Sequence, residues 1–416
     1  MKPQEWGEVV IDELCETIID CVNKTAPVVD FPTPYKMIRT TNVRDGWISL
    51  NSVKYVDHAT YLLWTRRQTP KKGDVILTRE APLGEVGMLR SDDQVFLGQR
   101  LVSYRVNPKK LDNRFLLYAF QGDCLRAQIK ALGSGSTVEH MRVPDAKNLK
   151  IFLPPLASQK KIGSILAAYD DLIENNTRRI EILEEMARRL YEEWFVQFRF
   201  PGHEGVEFKE SELGLIPDGW EVVALEKAVE INPKTKVERD GEKIFVPMGA
   251  LSETGMVISG WEIKSGNSGA KFQNGDTLVA RISPCLENGK TGFVDFLPAS
   301  QPTACGSTEF IVLRSRSLCP EMVYCLSRSD RFREVAMKSM SGATGRQRVR
   351  VESLVGYPIA QPEGELVAKY HAFAQPCFKE IRGLANKNAN LRQQRDLLLP
   401  KLISGEIDVS DIPMPT

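Results

Sequence analysis

Apolar positions along this chain change their period twice, and in the same order each time. Residues 1–155 and 201–363 carry short runs that alternate or are apolar throughout, bounded by Gly, Asp and Pro, which predicts two β-rich modules. After the first module, Ile162, Leu166, Tyr169, Ile173, Asn176, Ile180, Leu183, Ala187, Leu190 and Trp194 recur at spacings of four and three. That is a heptad seam, predicting a long coiled-coil helix over 156–200 that ends near Phe198, before "RFPGHEG". Residues 364–405 repeat the pattern with Leu366, Tyr370, Phe373, Cys377, Ile381, Leu384, Asn388, Leu391 and Leu398, and with Arg395 at a seam position. Pro376 is expected to kink this second helix or to mark its true start. Each seam holds one Asn, a residue that costs stability and sets register. A short tail, 406–416, follows.

The modules echo each other in detail. "GEVVIDEL" (7–14) matches "WEVVALEKA" (220–228), and "KKGDVILTREAP" (71–82) matches "QNGDTLVARISP" (273–284). "GQRLVSYRV" (98–106) matches "GSTEFIVLR" (306–314). The turn "SGSTVEHMRV" (134–143) returns 207 residues later in "SGATGRQRVRV" (341–351). An amphipathic helix, 115–132 or 322–340, leads into each turn, and "LKIFLPP" (149–155) or "LVGYPIAQP" (354–362) closes each module. The expected fold is therefore α/β in the α+β sense: two similar β-rich domains separated by a long antiparallel two-helix coiled coil, an internal pseudo-twofold repeat. Such a helix of ~40 residues spans roughly 60 Å and would act as a ruler.

Composition narrows the function. The eight cysteines include no C-x-x-C pair and the four histidines are scattered, so neither zinc sites nor disulfides are expected. Net charge is +1, but Phe31–Asp74 carries eight bases against three acids, and Arg331–Arg350 six against one. Positive charge thus gathers in one region of each half. No run of about 18 apolar residues occurs and the start does not resemble a secretory signal, so a cytosolic protein without a membrane span is expected. No G-x-G-x-x-G, no Walker motif and no Asp/Asn-Pro-Pro-aromatic motif is present. Asp170-Asp171 and Glu184-Glu185 are read as a solvated helix face, as are Arg178, Arg179, Glu185 and Arg189. A binding protein without catalytic or metal residues is expected, with no cofactor in this chain.

These segments resemble a known family, the specificity (S) subunits of Type I restriction-modification systems. Residues 153–204, "LPPLASQKKIGSILAAYDDLIENNTRRIEILEEMARRLYEEWFVQFRFPGHE", look like its central conserved region. "LGLIPDGWEVVAL" (213–225) resembles the opening of its second recognition domain, and "LRQQRDLLLPKLISGEI" (391–407) its distal conserved region. "TREAPLGEVG" (78–87) and "ARISPCLENGKTGF" (280–293) are similar to its target-recognition segments. The resemblance implies two target recognition domains, each reading half of a split double-stranded DNA site, in a bacterial or archaeal cytoplasm. It also implies modification subunits, two in number, docked on the helices, and a restriction subunit in the full complex. S-adenosylmethionine, ATP and Mg would belong to those partners.

Reading DNA needs Lys, Arg and turn amides for phosphate, and Arg, Asn, Gln, Ser or Thr on rigid loops for base edges. The second turn offers Thr344, Arg346, Gln347, Arg348 and Arg350, with the three arginines expected on one face of a strand. The first offers Ser136, Thr137, His140 and Arg142. Arg79 and Arg281 hold matching places, Gln99-Arg100 correspond to the 307–308 region, and Asn288 and Lys290 extend the set. A second reading stays open at this point: a protein-binding scaffold with two β-rich heads.

Overall fold

The computed structural model describes residues 6–133, 139–342 and 347–413. The chain divides into two compact units, residues 1–173 with 390–416, and residues 174–389. Both long helices contribute to both units.

In the first unit a run such as Val75–Arg79, with Val75, Ile76, Leu77 and Thr78 almost wholly buried, can only be an interior strand. It lies in an antiparallel sheet whose order is Cys15–Asp20, Leu101–Val106, Val75–Arg79, Leu83–Met88. A second sheet orders Lys54–Tyr55, Lys36–Ile38 and Val95–Leu97, with its last pair parallel. Gly7–Val10 pairs with Lys150–Leu153, joining the start of the module to its end.

The second unit repeats this topology. Its antiparallel sheet orders Val229–Ile231, Phe310–Ser315, Thr277–Ala280 and Thr291–Phe293. Its mixed sheet contains the parallel pair Glu242–Val246 and Thr303–Gly306, and Glu221–Ala224 closes on Pro358–Gln361. The hairpin Phe208–Ser211 with Gly214–Pro217 is particular to this unit among the described residues.

The single helix expected before each turn is two. Asn113–Gln121 is followed by Asp123–Leu132, and Pro320–Arg328 by Asp330–Lys338. Gly122 and Ser329 adopt extended backbone between them, and Ser329 caps the second helix by accepting from the Phe332 N–H. An extended residue cannot propagate the i to i−4 ladder, so the apolar stripe continues across a bend.

The first long helix, Leu156–Tyr191, ends in a π-helical turn, Glu192–Val196. The second, Gly364–Ile403, is continuous through Pro376, so the proline does not mark its start. Pro376 is exposed, as is Ala372, whose carbonyl the missing N–H would have used. Water can therefore solvate the freed group. The seam shifts by one residue to suit: Ala374 and Phe378 are buried, while Phe373 and Cys377 lie toward the surface.

Within each unit the two helices run antiparallel. In the second unit, Asn176 Nδ2 donates to Asn388 Oδ1 (2.9 Å) and Tyr370 donates to the Ala187 carbonyl (3.0 Å). The two seam asparagines thus satisfy each other, and Asn388 also donates to Thr177 Oγ1 (3.2 Å). Ile162, Leu166, Ile173, Ile381 and Leu384 are buried as the seam requires, while Tyr169, Ile180, Leu183, Leu190, Leu391 and Leu398 are half-buried.

Two acids read as solvated are not. Asp170 is 1% exposed and accepts from the Tyr118 hydroxyl (2.7 Å) and from Arg395 Nη1 (2.7 Å), all in the first unit. A buried carboxylate needs such partners, which explains an arginine at a seam position. Glu184, in the second unit, accepts from the Tyr324 hydroxyl and the Met256 N–H, and burial raises its pKa. Asp171, Glu185, Arg178, Arg179 and Arg189 do lie at or near the surface.

Replacing Arg395 with Met strands the Asp170 charge and is expected to cost about 3–5 kcal/mol. In urea unfolding, the double variant Asp170→Asn, Arg395→Met should recover most of that loss; equal destabilisation in both would show that Asp170 is not the cause.

Candidate nucleic-acid interface

In each unit the central ladder begins at a Gly-Asp turn. Gly73 and Gly275 take φ of 91° and 90°, conformations that favour glycine. The following aspartate folds back to accept a backbone N–H three residues earlier, Lys71 to Asp74 (3.0 Å) and Gln273 to Asp276 (2.8 Å). The same carboxylates take two hydrogen bonds each from an arginine on the neighbouring strand. Arg105 binds Asp74 at 2.9 and 2.7 Å, and Arg314 binds Asp276 at 2.7 and 2.7 Å. Burial pushes the Asp276 carboxyl above its ordinary pKa, against the pull of Arg314.

The opposite end of each ladder carries the candidate contacts. Arg79 N–H donates to the Arg100 carbonyl (2.8 Å) while its carbonyl accepts from Met141 N–H (3.0 Å). In the second unit, Arg281 N–H donates to Glu309 (2.9 Å) and its carbonyl accepts from Val349 (2.8 Å). Three segments therefore converge in each unit: 79–82, 99–100 and 140–142, and 281–284, 309 and 347–350. Single β-bridges, Glu80 with His140 and Ile282 with Arg348, complete the match. The second unit's equivalent of Arg100 is thus Glu309 and not the expected 307–308 pair, because a turn closed by Phe310 N–H on Ser307 adds a residue.

Arg348 and Arg350 are exposed with Val349 buried between them, so the alternation holds. It rests on isolated bridges, not the continuous strand expected, since Arg348 pairs with both Ile282 and Ser341. Ser136, Thr137, Thr344 and Arg346 lie outside the described residues.

The gathered side chains have definite internal partners. Arg79 Nη1 donates to the Met141 carbonyl (3.0 Å), and Arg100 pairs with Glu80 (3.2 Å). Arg142 makes a two-point contact with Asp145 (2.9 and 3.1 Å). Arg348 does the same with Glu309 through Nε (2.9 Å) and Nη2 (2.6 Å), and this pairing holds the Glu309 carboxyl below the usual carboxylate range. Arg350 Nε donates to Ser341 Oγ (3.2 Å), and Gln347 N–H to Ser283 Oγ (3.2 Å). Arg79 Nε and Arg281 Nε are both buried without a hydrogen-bond partner among the described residues. Gln99 and His140 are exposed.

Asn288 and Lys290 lie on the adjoining loop. Asn288 Nδ2 donates to Glu253 (3.1 Å), and the Lys290 carbonyl accepts from the strand residue Ala280 (3.0 Å).

The acids Glu80, Asp145 and Glu309 were missed, although two stand inside repeated segments. Their signal was charge balance: an arginine held in place needs a carboxylate nearby. The result is one scaffold with two electrostatic surfaces, an acid–base pair Glu80–Arg100 in one unit and Glu309–Arg348 in the other.

Such a chain is a duplicated recognition protein, with a repeated framework presenting different polar loops. Residues 3–185 match the family described as the Type I restriction modification DNA specificity domain. Over 355 residues the chain is 27% identical to the Type I restriction enzyme MjaIX specificity subunit of Methanocaldococcus jannaschii, covering 82% of this chain and 79% of that one. It is 30% identical to the EcoAI specificity subunit of Escherichia coli over 44% of this chain and 33% of that one. Its fold is similar to the crystal structure of a Type I restriction-modification S subunit from M. genitalium, with TM-score 0.58 and 17% identity over 97% of this chain and 99% of that one. The chain is thus similar to Type I restriction enzyme specificity subunits over most of its length, and its first 185 residues match the DNA specificity domain of that family.

Because Asp276 secures the strand that ends in Arg281, Asp276→Ala should destabilise the second unit by about 3–5 kcal/mol. Hydrogen exchange should quicken at Leu278 and Val312 and stay unchanged at Leu77 and Val102; uniform change in both units would show that the pair does not act within its own ladder.

Proposed function

We propose that this chain is the DNA-recognition subunit of a Type I restriction-modification complex, each unit reading one half of a bipartite double-stranded target. The observation that carries this is the matched convergence of three loop segments in each unit, with different side chains on the same backbone frame. Arginines fixed by carboxylates suit the task, because a guanidinium with a fixed direction can discriminate base edges while its net charge is tempered. The relatives bear the name of specificity subunits, which supports this reading over a protein-binding scaffold.

The chain acts without catalysis of its own. S-adenosylmethionine, ATP and Mg belong to its partners, two modification subunits and a restriction subunit, in a bacterial or archaeal cytoplasm. Among the described residues no helix is long and apolar enough to cross a membrane. Docking of the modification subunits on the long helices is supported by Ile182 and Met186, exposed apolar residues one helical turn apart and off the seam.

Exchanging residues 6–133 together with the following turn for those of another family member should change one half-site of the methylated sequence and leave the other intact. Methylation-site sequencing reads this directly, and altered reading of both halves would overturn the modular account. Binding to the target should also weaken steeply as salt rises.

Arg348→Ala should lower affinity for the target roughly ten-fold or more if Arg348 meets a base. Titration of target and scrambled duplexes with the assembled complex checks this; unchanged affinity for both would remove Arg348 from the recognition surface.

A further inference from the structure

Away from the loop segments, the second unit brings together three side chains of different chemistry. Cys319 is the residue before helix Pro320–Arg328, Glu321 stands in its first turn, and His371 comes from the second long helix. One donor atom of each lies within 4.8 Å of the other two. Cys319 and Glu321 are buried, at 7% and 4% exposure, while the His371 side chain is 38% exposed. His371 Nδ1 sits 2.8 Å from a Glu321 carboxylate oxygen, and the Cys319 thiol lies beside the same carboxylate.

The donor set selects among ions. A thiolate, an imidazole and a carboxylate are the three ligand types that zinc accepts, whereas Mg and Ca take oxygen donors. Zinc bonds of about 2.0–2.3 Å place neighbouring donor atoms roughly 3–4 Å apart, which the cluster reaches by small shifts, the His371–Glu321 pair at 2.8 Å opening slightly. Charge points the same way. A buried carboxylate and a buried thiol stand here beside an imidazole, and a dication could balance both as anions. The exposed side of His371 gives a route in.

We propose that Cys319, Glu321 and His371 form a zinc site that ties the start of helix Pro320–Arg328 to the second long helix. On binding, the thiol releases its proton to solvent, and the His371–Glu321 hydrogen bond gives way to metal–ligand bonds. Helix Pro320–Arg328 leads through Asp330–Lys338 to the segment bearing Arg348 and Arg350, so the bound ion steadies the support behind the second unit's loops. Because ligand geometry exists only in the folded unit, zinc stabilises that unit.

The test uses the full chain, stripped with chelator and titrated with Zn²⁺, and separately with Co²⁺ as a spectroscopic probe. One zinc per chain should survive gel filtration, and cobalt should give a thiolate-to-metal charge-transfer band. Cys319→Ser should abolish the band, His371→Gln should weaken metal binding by roughly ten-fold or more, and both should keep the circular dichroism of the parent. Cys124→Ser, at an exposed thiol in the first unit, should leave the band intact. No retained zinc in the parent, or a band lost in Cys124→Ser and kept in Cys319→Ser, overturns the proposal and leaves a metal-free hydrogen-bonded cluster. If Cys319→Ser fails to fold, the half-exposed His371→Gln decides alone: unchanged affinity there overturns it equally.

Discussion

A buried carboxylate at a Gly-Asp turn holds the register of each unit's central ladder. Asp74 lies just ahead of strand Val75–Arg79, and its partner Arg105 near the far end of Leu101–Val106. Asp276 and Arg314 repeat the arrangement on Thr277–Ala280 and Phe310–Ser315. Slipping either pair by one residue would part the carboxylate from its arginine and turn every core residue of that strand outward. With one end clamped, the other end is fixed too. There Arg79 meets Arg100 and Met141, and Arg281 meets Glu309 and Val349. The loops are thereby free to differ in side chain without differing in place.

The long helices follow the same logic with other groups. An apolar seam is tolerant of register, since one leucine packs much like another. Asn176 with Asn388 in the second unit, and Asp170 with Arg395 in the first, are not tolerant. Each would be left with an unsatisfied buried group if the helices slid by a turn. Polar contacts within an apolar seam thus specify alignment, while Ile162, Leu166, Ile381 and Leu384 supply the burial that drives association.

Much of this was legible because periodicity reflects burial. The heptad spacing marked both helices, the paired asparagines were visible as the polar breaks in it, and the Gly-Asp echoes marked equivalent turns. Errors arose where one residue had two possible environments. Pro376 reads as a kink or a helix start, yet it sits inside a continuous helix on an exposed face, where water can solvate the carbonyl it frees. Asp170 and Glu184 read as surface charge because periodicity ranks acids as polar and cannot see Arg395 or Tyr324 approaching from distant sequence. The stripe across Gly122 and Ser329 kept its period over a bend, so two helices looked like one.

Sequence by itself determined the duplication, the α+β class, the two long helices and the segments that carry candidate contacts. These depend on local chemistry: turn residues, strand and helix periods, and repeated spacing. Tertiary structure alone decided which charges are paired, that Glu309 and not residues 307–308 is the second unit's equivalent of Arg100, and that Cys319, Glu321 and His371 meet. Such facts depend on distances between residues far apart in the chain, set by the packing of whole elements, and no local pattern encodes them.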